Sequence, residues 1–379
     1  MYQRFIQKPI ENRLFKSKII VIYGPRQAGK TTLSEAILKK FGDDGLYLNC
    51  EVDSVKRELS KIEPAQLKNF FGSKKIIVLD EAQIIPNIGL VLKTFIDAYK
   101  DIQIIATGSS SFDLSNNIKE SLTGRSIEFN LLPLSIGEVV AHDGLPSLRS
   151  FEEILFRFGL YPNVYNNKDD QNAMHREIEN IQSNYLYKDI LMLEDIRKPK
   201  ILEDLLQLLA FQIGNEVSLN EIAQKIGVSV VTVDRYIDLL EKTFVIYRLK
   251  ALSRNQHNEV RHSFKVYFID IGIRNAIIQN FNPLSVRDDV GKLFENIFII
   301  ERLKKAMYAE EFKNYFFWRT YDQKEIDFIE ESEGMLFAFE CKYSEGKIKN
   351  ATRNTFLKSY PKSDIKIITK DNYTDFLIE

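Results

Sequence analysis

At ~150 residues per domain, a chain of 379 residues is long for one domain, and its 44% hydrophobic and 28% charged content supplies ordinary globular cores. Fifty-two basic residues against 53 acidic ones leave a net charge of -1, which excludes a polycation, so any nucleic-acid contact has to come from a local basic patch. Two cysteines far apart in sequence, Cys50 and Cys341, argue against a disulfide framework or a cysteine zinc site. No apolar run approaches the ~18 residues of a membrane span, and "MYQRFIQKPIENR" has no signal-peptide core, so a cytoplasmic protein without membrane contact is expected.

The first informative stretch is "IIVIYGPRQAGKTTL". A short apolar run, Ile19 to Tyr23, reads as a buried strand and leads into Gly24, Pro25, Arg26, Gln27, Ala28, Gly29, Lys30, Thr31 and Thr32, which open a helical pattern. This is the full P-loop spacing, with a strand before it and a helix after it. The glycines let backbone N–H groups curl round phosphates at the positive end of a helix. Lys30 is expected to reach the β- and γ-phosphates, and the Thr31 hydroxyl to hold magnesium; ATP and Mg2+ are thus the expected cofactors. Arg26 is a further candidate for a phosphate or domain contact.

A second apolar strand, Ile76 to Leu79, ends in Asp80 and Glu81. After a P-loop, Asp80 is placed to bind the magnesium shell and Glu81 to orient the attacking water. The strand "IQIIATGSSS" brings Thr107, Gly108 and Ser109 to its carboxyl end, where ligands collect in open α/β sheets. Ser109 is the candidate γ-phosphate sensor; a solvated serine turn is the alternative.

This order resembles the AAA+ class of ATPases. With "SLTGRSIEFNLLPLSIGEVV" and "FGLYPNVY" added, nearly the whole chain is similar to a broad prokaryotic family of AAA-type ATP-binding proteins with a C-terminal domain of unknown function. The resemblance implies an α/β multidomain protein built on a parallel P-loop sheet. Arg125, in "TGRS", is the nominee for arginine finger or in-cis phosphate contact, against the alternative of an ion-paired surface arginine.

From about Pro146 the apolar spacing becomes three and four, which predicts a helical lid or connector. In residues 201–275, Ser218 can cap one helix, Gly227 can turn the chain and Ser229 can cap the next, which predicts a winged helix-turn-helix. Asp234, Asp238 and Glu241 on the second helix disfavour phosphate. The expected wing carries Arg248, Lys250, Arg254, Arg261 and Lys265 against Glu259, which favours non-specific contact with a DNA backbone. A purely structural winged helix is the alternative.

In the last third, a helix bearing Leu293, Ile297, Ile300 and Leu303 on one stripe also carries Glu295. Three strands follow, the second with Asp327 and the third, "MLFAFECKYSE", with Glu340 and Lys342 on one face. This order resembles the PD-(D/E)XK nuclease superfamily. The resemblance implies a second Mg2+ or Mn2+ site, with Asp327 and Glu340 as metal ligands, Glu295 completing the shell and Lys342 positioning water or stabilising charge on phosphate. A solvated ion pair on an edge strand is the alternative.

The expected organisation is an AAA-like ATPase at 1–145, a helical connector at 146–200, a winged helix at 201–275 and a nuclease-like tail at 285–379. The expected activity is Mg2+-dependent ATP hydrolysis whose nucleotide state controls the rest, acting on DNA, with a homo-oligomer or protein partner. A nucleotide-bound switch with little turnover and an inactive tail is the other reading; a nuclease regulated by the ATPase is a third.

Overall fold

The computed structural model describes residues 2–61, 63–109, 122–186, 199–253, 263–344 and 346–378. They form two compact units, the first comprising residues up to 134 together with 242–244, the second the remainder.

Strands of the first unit form because their runs are apolar on both faces, as strands covered by helices on both sides must be. β1 (Ile19–Tyr23), β3 (Ile76–Asp80) and β4 (Gln103–Gly108) are buried at every position, whereas β2 (Gly45–Asn49) and β5 (Ser126–Asn130) at the edges are half-exposed. The sheet order is β2-β3-β4-β1-β5, and all neighbours are parallel. The carboxyl ends of β1, β3 and β4 therefore open on the same edge, with β1 leading directly into the helix Lys30–Leu38. On one face of the sheet, Leu67, Phe71, Val91, Leu92 and Phe95 build the core.

The second unit starts with the helices Ile136–Asp143, Leu145–Phe158 and Gln171–Asn180. Three more follow, Pro199–Phe211, Leu219–Ile226 and Val230–Lys242. Their ends obey the capping signals: the Ser218 hydroxyl accepts the Glu221 N–H (3.3 Å), Gly227 takes φ +70° at the turn, and Ser229 accepts the Thr232 N–H (3.1 Å). β6 (Ile246–Ala251) and β7 (Phe264–Phe268) then pair antiparallel. They continue a mixed sheet with β8 (Asn314–Arg319), β9 (Glu325–Ser332), β10 (Met335–Cys341) and β11 (Ser363–Ile368), in the order β11-β10-β9-β8-β6-β7. The join is short: Lys250 and Ala251 of β6 pair in parallel with Phe316 and Phe317 of β8.

The helix Val290–Tyr308 is buried along most of its length, including the polar Glu295, Asn296, Glu301 and Lys304. Its Phe298 meets Phe339 of β10 at 5.6 Å between ring centroids. Between Phe316 and Trp318 the β8–β9 register slips, because three steps along β9 oppose two along β8. The extra residue is a bulge in the part of β9 that holds Asp327, and bulges re-aim a side chain. Among the described residues, no helix is long and apolar enough to cross a membrane.

Candidate functional site

The loop after β1 is shaped by close backbone approach. A Cβ on Gly24 would lie 2.0 Å from the Leu131 carbonyl oxygen, so no other residue fits without moving the strand-end segment beside it. Gly29 (φ +97°) and Gln27 (φ +62°) take left-handed conformations that curl the chain before the helix at Lys30. Lys30 is buried; its ammonium donates to the carbonyls of Gly24 (2.9 Å) and Pro25 (3.1 Å), across the mouth of its own loop. Outside the loop, the Arg4 guanidinium donates to the Ala28 carbonyl (2.7 Å) and the Leu132 carbonyl (2.6 Å). Within the loop the Ala28 N–H closes a turn on the Pro25 carbonyl (3.3 Å). Arg26 is half-buried and Thr32 exposed.

Asp80 gathers hydroxyl donors at the end of β3. Thr31 donates to its Oδ2 (2.8 Å), Tyr47 of β2 donates to the same oxygen (2.7 Å), and Thr107 of β4 donates to Oδ1. Three elements thus converge on the buried carboxylate of a fourth, which is how a parallel sheet builds a site at its carboxyl edge. Burial and the neighbouring Asp80 push the Tyr47 phenol up, keeping it protonated as a donor. Glu81 follows in the left-handed region (φ +54°), its N–H bonded to the Thr107 hydroxyl (3.2 Å). The Gln83 side-chain amide donates to Glu81 Oε2 (2.5 Å) and lies 3.5 Å from the Ser109 hydroxyl. Ser109 is buried. Arg125, by contrast, is half-exposed and paired with Asp97 at 2.8 Å, the ion-paired alternative.

These residues fit a magnesium nucleotide: a loop that admits no side chain at Gly24, a buried ammonium at Lys30, and a hydroxyl–carboxylate pair at Thr31 and Asp80. Tyr47, Gln83 and Arg4 carry no motif in the sequence. Tyr47 and Gln83 follow apolar or acidic stretches without a spacing signature, and Arg4 precedes any motif.

In the second unit, Glu295, Asp327, Glu340 and Lys342 lie in one electrostatic neighbourhood, but with partners of their own. Glu295 accepts from the Tyr267 hydroxyl (2.6 Å) and pairs with Lys292 (3.1 Å) and Lys265 (3.5 Å). Lys265 of β7 is only 1% exposed and also pairs with Glu325 at 2.5 Å. Burial opposes the charge on Glu295, but the Lys265 and Lys292 ammoniums win and hold its carboxyl below the usual range. Asp327 accepts the Cys341 N–H (2.8 Å); burial, then Glu295 and Glu340, drive its carboxyl up to about 8. Glu340 pairs with Lys342 through Oε1 (2.8 Å), while its buried Oε2 has no partner among the described residues. No group of three or more His, Cys, Asp or Glu side chains among the described residues is arranged to hold a metal ion.

The basic wing is corrected at two positions. Arg248 donates to Asp234 (3.1 Å), pairs with Asp238, lies 3.6 Å from Glu241 and stacks over Phe264. The acids expected to repel phosphate instead consume the arginine expected to bind it. Lys265 is buried in the carboxylate cluster. Arg254 and Arg261 lie outside the described residues, which leaves Lys250 exposed.

Comparison with known proteins agrees with the first unit. A family model described as "AAA domain" matches residues 16–140, and two models described as domains of unknown function match residues 148–284 and 290–376. An uncharacterized protein of Methanocaldococcus jannaschii is 26% identical, covering 97% of this chain and 83% of that protein. Another from Mycobacterium tuberculosis is 26% identical over 88% of this chain and 72% of its own length. A structure of the replication initiator DnaA bound to AMPPCP and single-stranded DNA is 17% identical, covering 62% of this chain and 86% of that one with a TM-score of 0.32. The AAA-domain match thus falls on the first unit, whose five parallel strands carry the loop at Gly24–Thr31.

Proposed function

We propose that the protein is a Mg2+-dependent ATPase whose nucleotide state controls the second unit. The observation that carries this reading is the convergence of Thr31, Tyr47 and Thr107 on Asp80 beside a loop whose Gly24 tolerates no side chain. Lys30 would exchange its two loop carbonyls for the β- and γ-phosphates, and Thr31 and Asp80 would hold magnesium, which when bound supplies charge neutralisation at those phosphates. Glu81 orients the attacking water and receives its proton, and Ser109 contacts the γ-phosphate. Arg125 serves as finger only by exchanging Asp97 for phosphate, which suits action across a homo-oligomer. Replacing Lys30 with Ala and Glu81 with Gln tests the mechanism: loss of ATP turnover in both is expected, and unchanged turnover in both rejects it. A nucleotide-bound switch predicts tight binding with negligible wild-type turnover.

The helices 199–242 with β6 and β7 are read as a winged helix, and the tail as a nuclease-like fold. Because Arg248 and Lys265 are engaged internally, Lys250 is the exposed cation that the proposed wing offers a DNA backbone among the described residues. One observation supports a metal-dependent nuclease: the unpartnered Oε2 of Glu340 beside the uphill carboxyl of Asp327. Against it, Glu295 is already held by three donors. Plasmid incubated with Mn2+ decides between them; nicking that disappears in Asp327→Ala supports the nuclease, and equal traces from both proteins remove it.

A further inference from the structure

We propose that Gln83 is a positioning residue that couples Ser109 to Glu81 during ATP hydrolysis, a role that rests on the ATPase reading of this site. A carboxylate can only accept, so the amide must turn its nitrogen toward Glu81, and the 2.5 Å separation from Oε2 fixes that orientation. The same nitrogen carries a second N–H and lies 3.5 Å from the Ser109 hydroxyl. One amide therefore spans the acid that follows β3 and the serine that follows β4. The orientation leaves the Gln83 carbonyl oxygen buried with no partner among the described residues. An orphaned acceptor marks a rotamer that the site holds at a cost.

The backbone gives Glu81 little freedom of its own. It occupies the left-handed region at φ +54° with its N–H held by Thr107, so its carboxylate is aimed chiefly through side-chain rotation. Gln83 controls that rotation. A phosphate oxygen that engages the Ser109 hydroxyl competes with the longer of the two Gln83 contacts. The amide then turns and re-aims Glu81 toward the attacking water. In this scheme hydrolysis waits for an intact γ-phosphate, and the serine reports it.

The test compares Gln83→Ala, Ser109→Ala and the double variant in steady-state ATP hydrolysis, with folding verified by circular dichroism and melting. Gln83→Ala should lower kcat by about tenfold or more, a modest part of what positioned proton transfer contributes, and leave KM within about twofold. The double variant should be no slower than the slower single variant, because both remove one coupling. Folded Gln83→Ala with unchanged kcat, or single effects that multiply in the double variant, overturns the proposal. Glu81→Gln separates the two levels. If it abolishes turnover while Gln83→Ala is silent, only the coupling falls; if Glu81→Gln alone retains turnover, the role of Glu81 falls and takes the coupling with it; if Lys30→Ala is unchanged as well, the ATPase reading of this site falls.

Discussion

Replacing Lys265 with Met removes an ammonium while keeping an unbranched side chain of similar length, so the perturbation is of charge and not of volume. Lys265 is 1% exposed and pairs with Glu295 (3.5 Å) and Glu325 (2.5 Å), with Asp327 also within its field. Breaking a buried pair by deleting one partner costs about 3–5 kcal/mol, because the other charge stays buried. Glu295 keeps Lys292 and Tyr267, and the less buried Glu325 keeps Arg319 at 3.5 Å, so the lower end, about 3 kcal/mol, is expected. For a unit of this size that is a fall in melting temperature of roughly 6–12 °C. The sign with pH follows from linkage. Asp327 and Glu340 have raised carboxyls, so their contribution to stability is fully present below the unfolded carboxylate range and is lost as pH rises, for Asp327 through about 8. Glu295 has a lowered one, so its contribution is present above that range and lost on acidification. Without Lys265 the Glu295 and Asp327 carboxyls are harder to ionise, so the deficit of the variant should be largest near pH 8 and shrink toward pH 5. Melting curves of both proteins across that interval measure it. A variant as stable as wild type at pH 8, or a deficit independent of pH, refutes the assignment of Lys265 as the cation of this cluster.

Tyr47→Phe removes one of two donors to Asp80 Oδ2 and should cost about 1 kcal/mol of stability, read in a denaturant titration. It should also lower, several-fold, the magnesium concentration for half-maximal ATP turnover, because the hydroxyl no longer competes for that oxygen. Arg4→Met withdraws a buried guanidinium from the Ala28 and Leu132 carbonyls. Stability should fall by about 2–3 kcal/mol and KM for ATP should rise, with kcat little changed, since the loop is less well arranged before nucleotide arrives. Arg125→Ala breaks only an exposed pair with Asp97, so melting should not move; if Arg125 acts across subunits, the rise of specific activity with protein concentration should vanish.

Where local pattern decides structure, the chain was readable. The run Ile19–Tyr23 is a strand with the bounds its apolar residues suggest, and the glycines of the P-loop announce a backbone that cannot accept a Cβ. Ser218, Gly227 and Ser229 fall at helix ends for the same reason: capping is written within three residues of where it acts. Long-range polar contacts carry no such mark. Nothing near Tyr47 says that its hydroxyl meets Asp80, thirty-three positions away. Counting charges along β6 and β7 suggested a basic surface, but a count cannot tell a solvated cation from one already paired, and Arg248 and Lys265 are both paired. The continuation of β6 into the tail's sheet rests on two residue pairs, Lys250 with Phe316 and Ala251 with Phe317, too little to leave a trace in hydropathy.

The account turns on whether the loop from Gly24 to Thr31 holds a magnesium nucleotide. Titration calorimetry of the folded protein with ATP, with and without magnesium, measures this without requiring turnover. Saturable uptake near one nucleotide per chain that depends on magnesium, and that weakens at least about tenfold in Lys30→Ala, is the predicted result. Equal uptake by wild type and Lys30→Ala, or none by either while both remain folded, would contradict it.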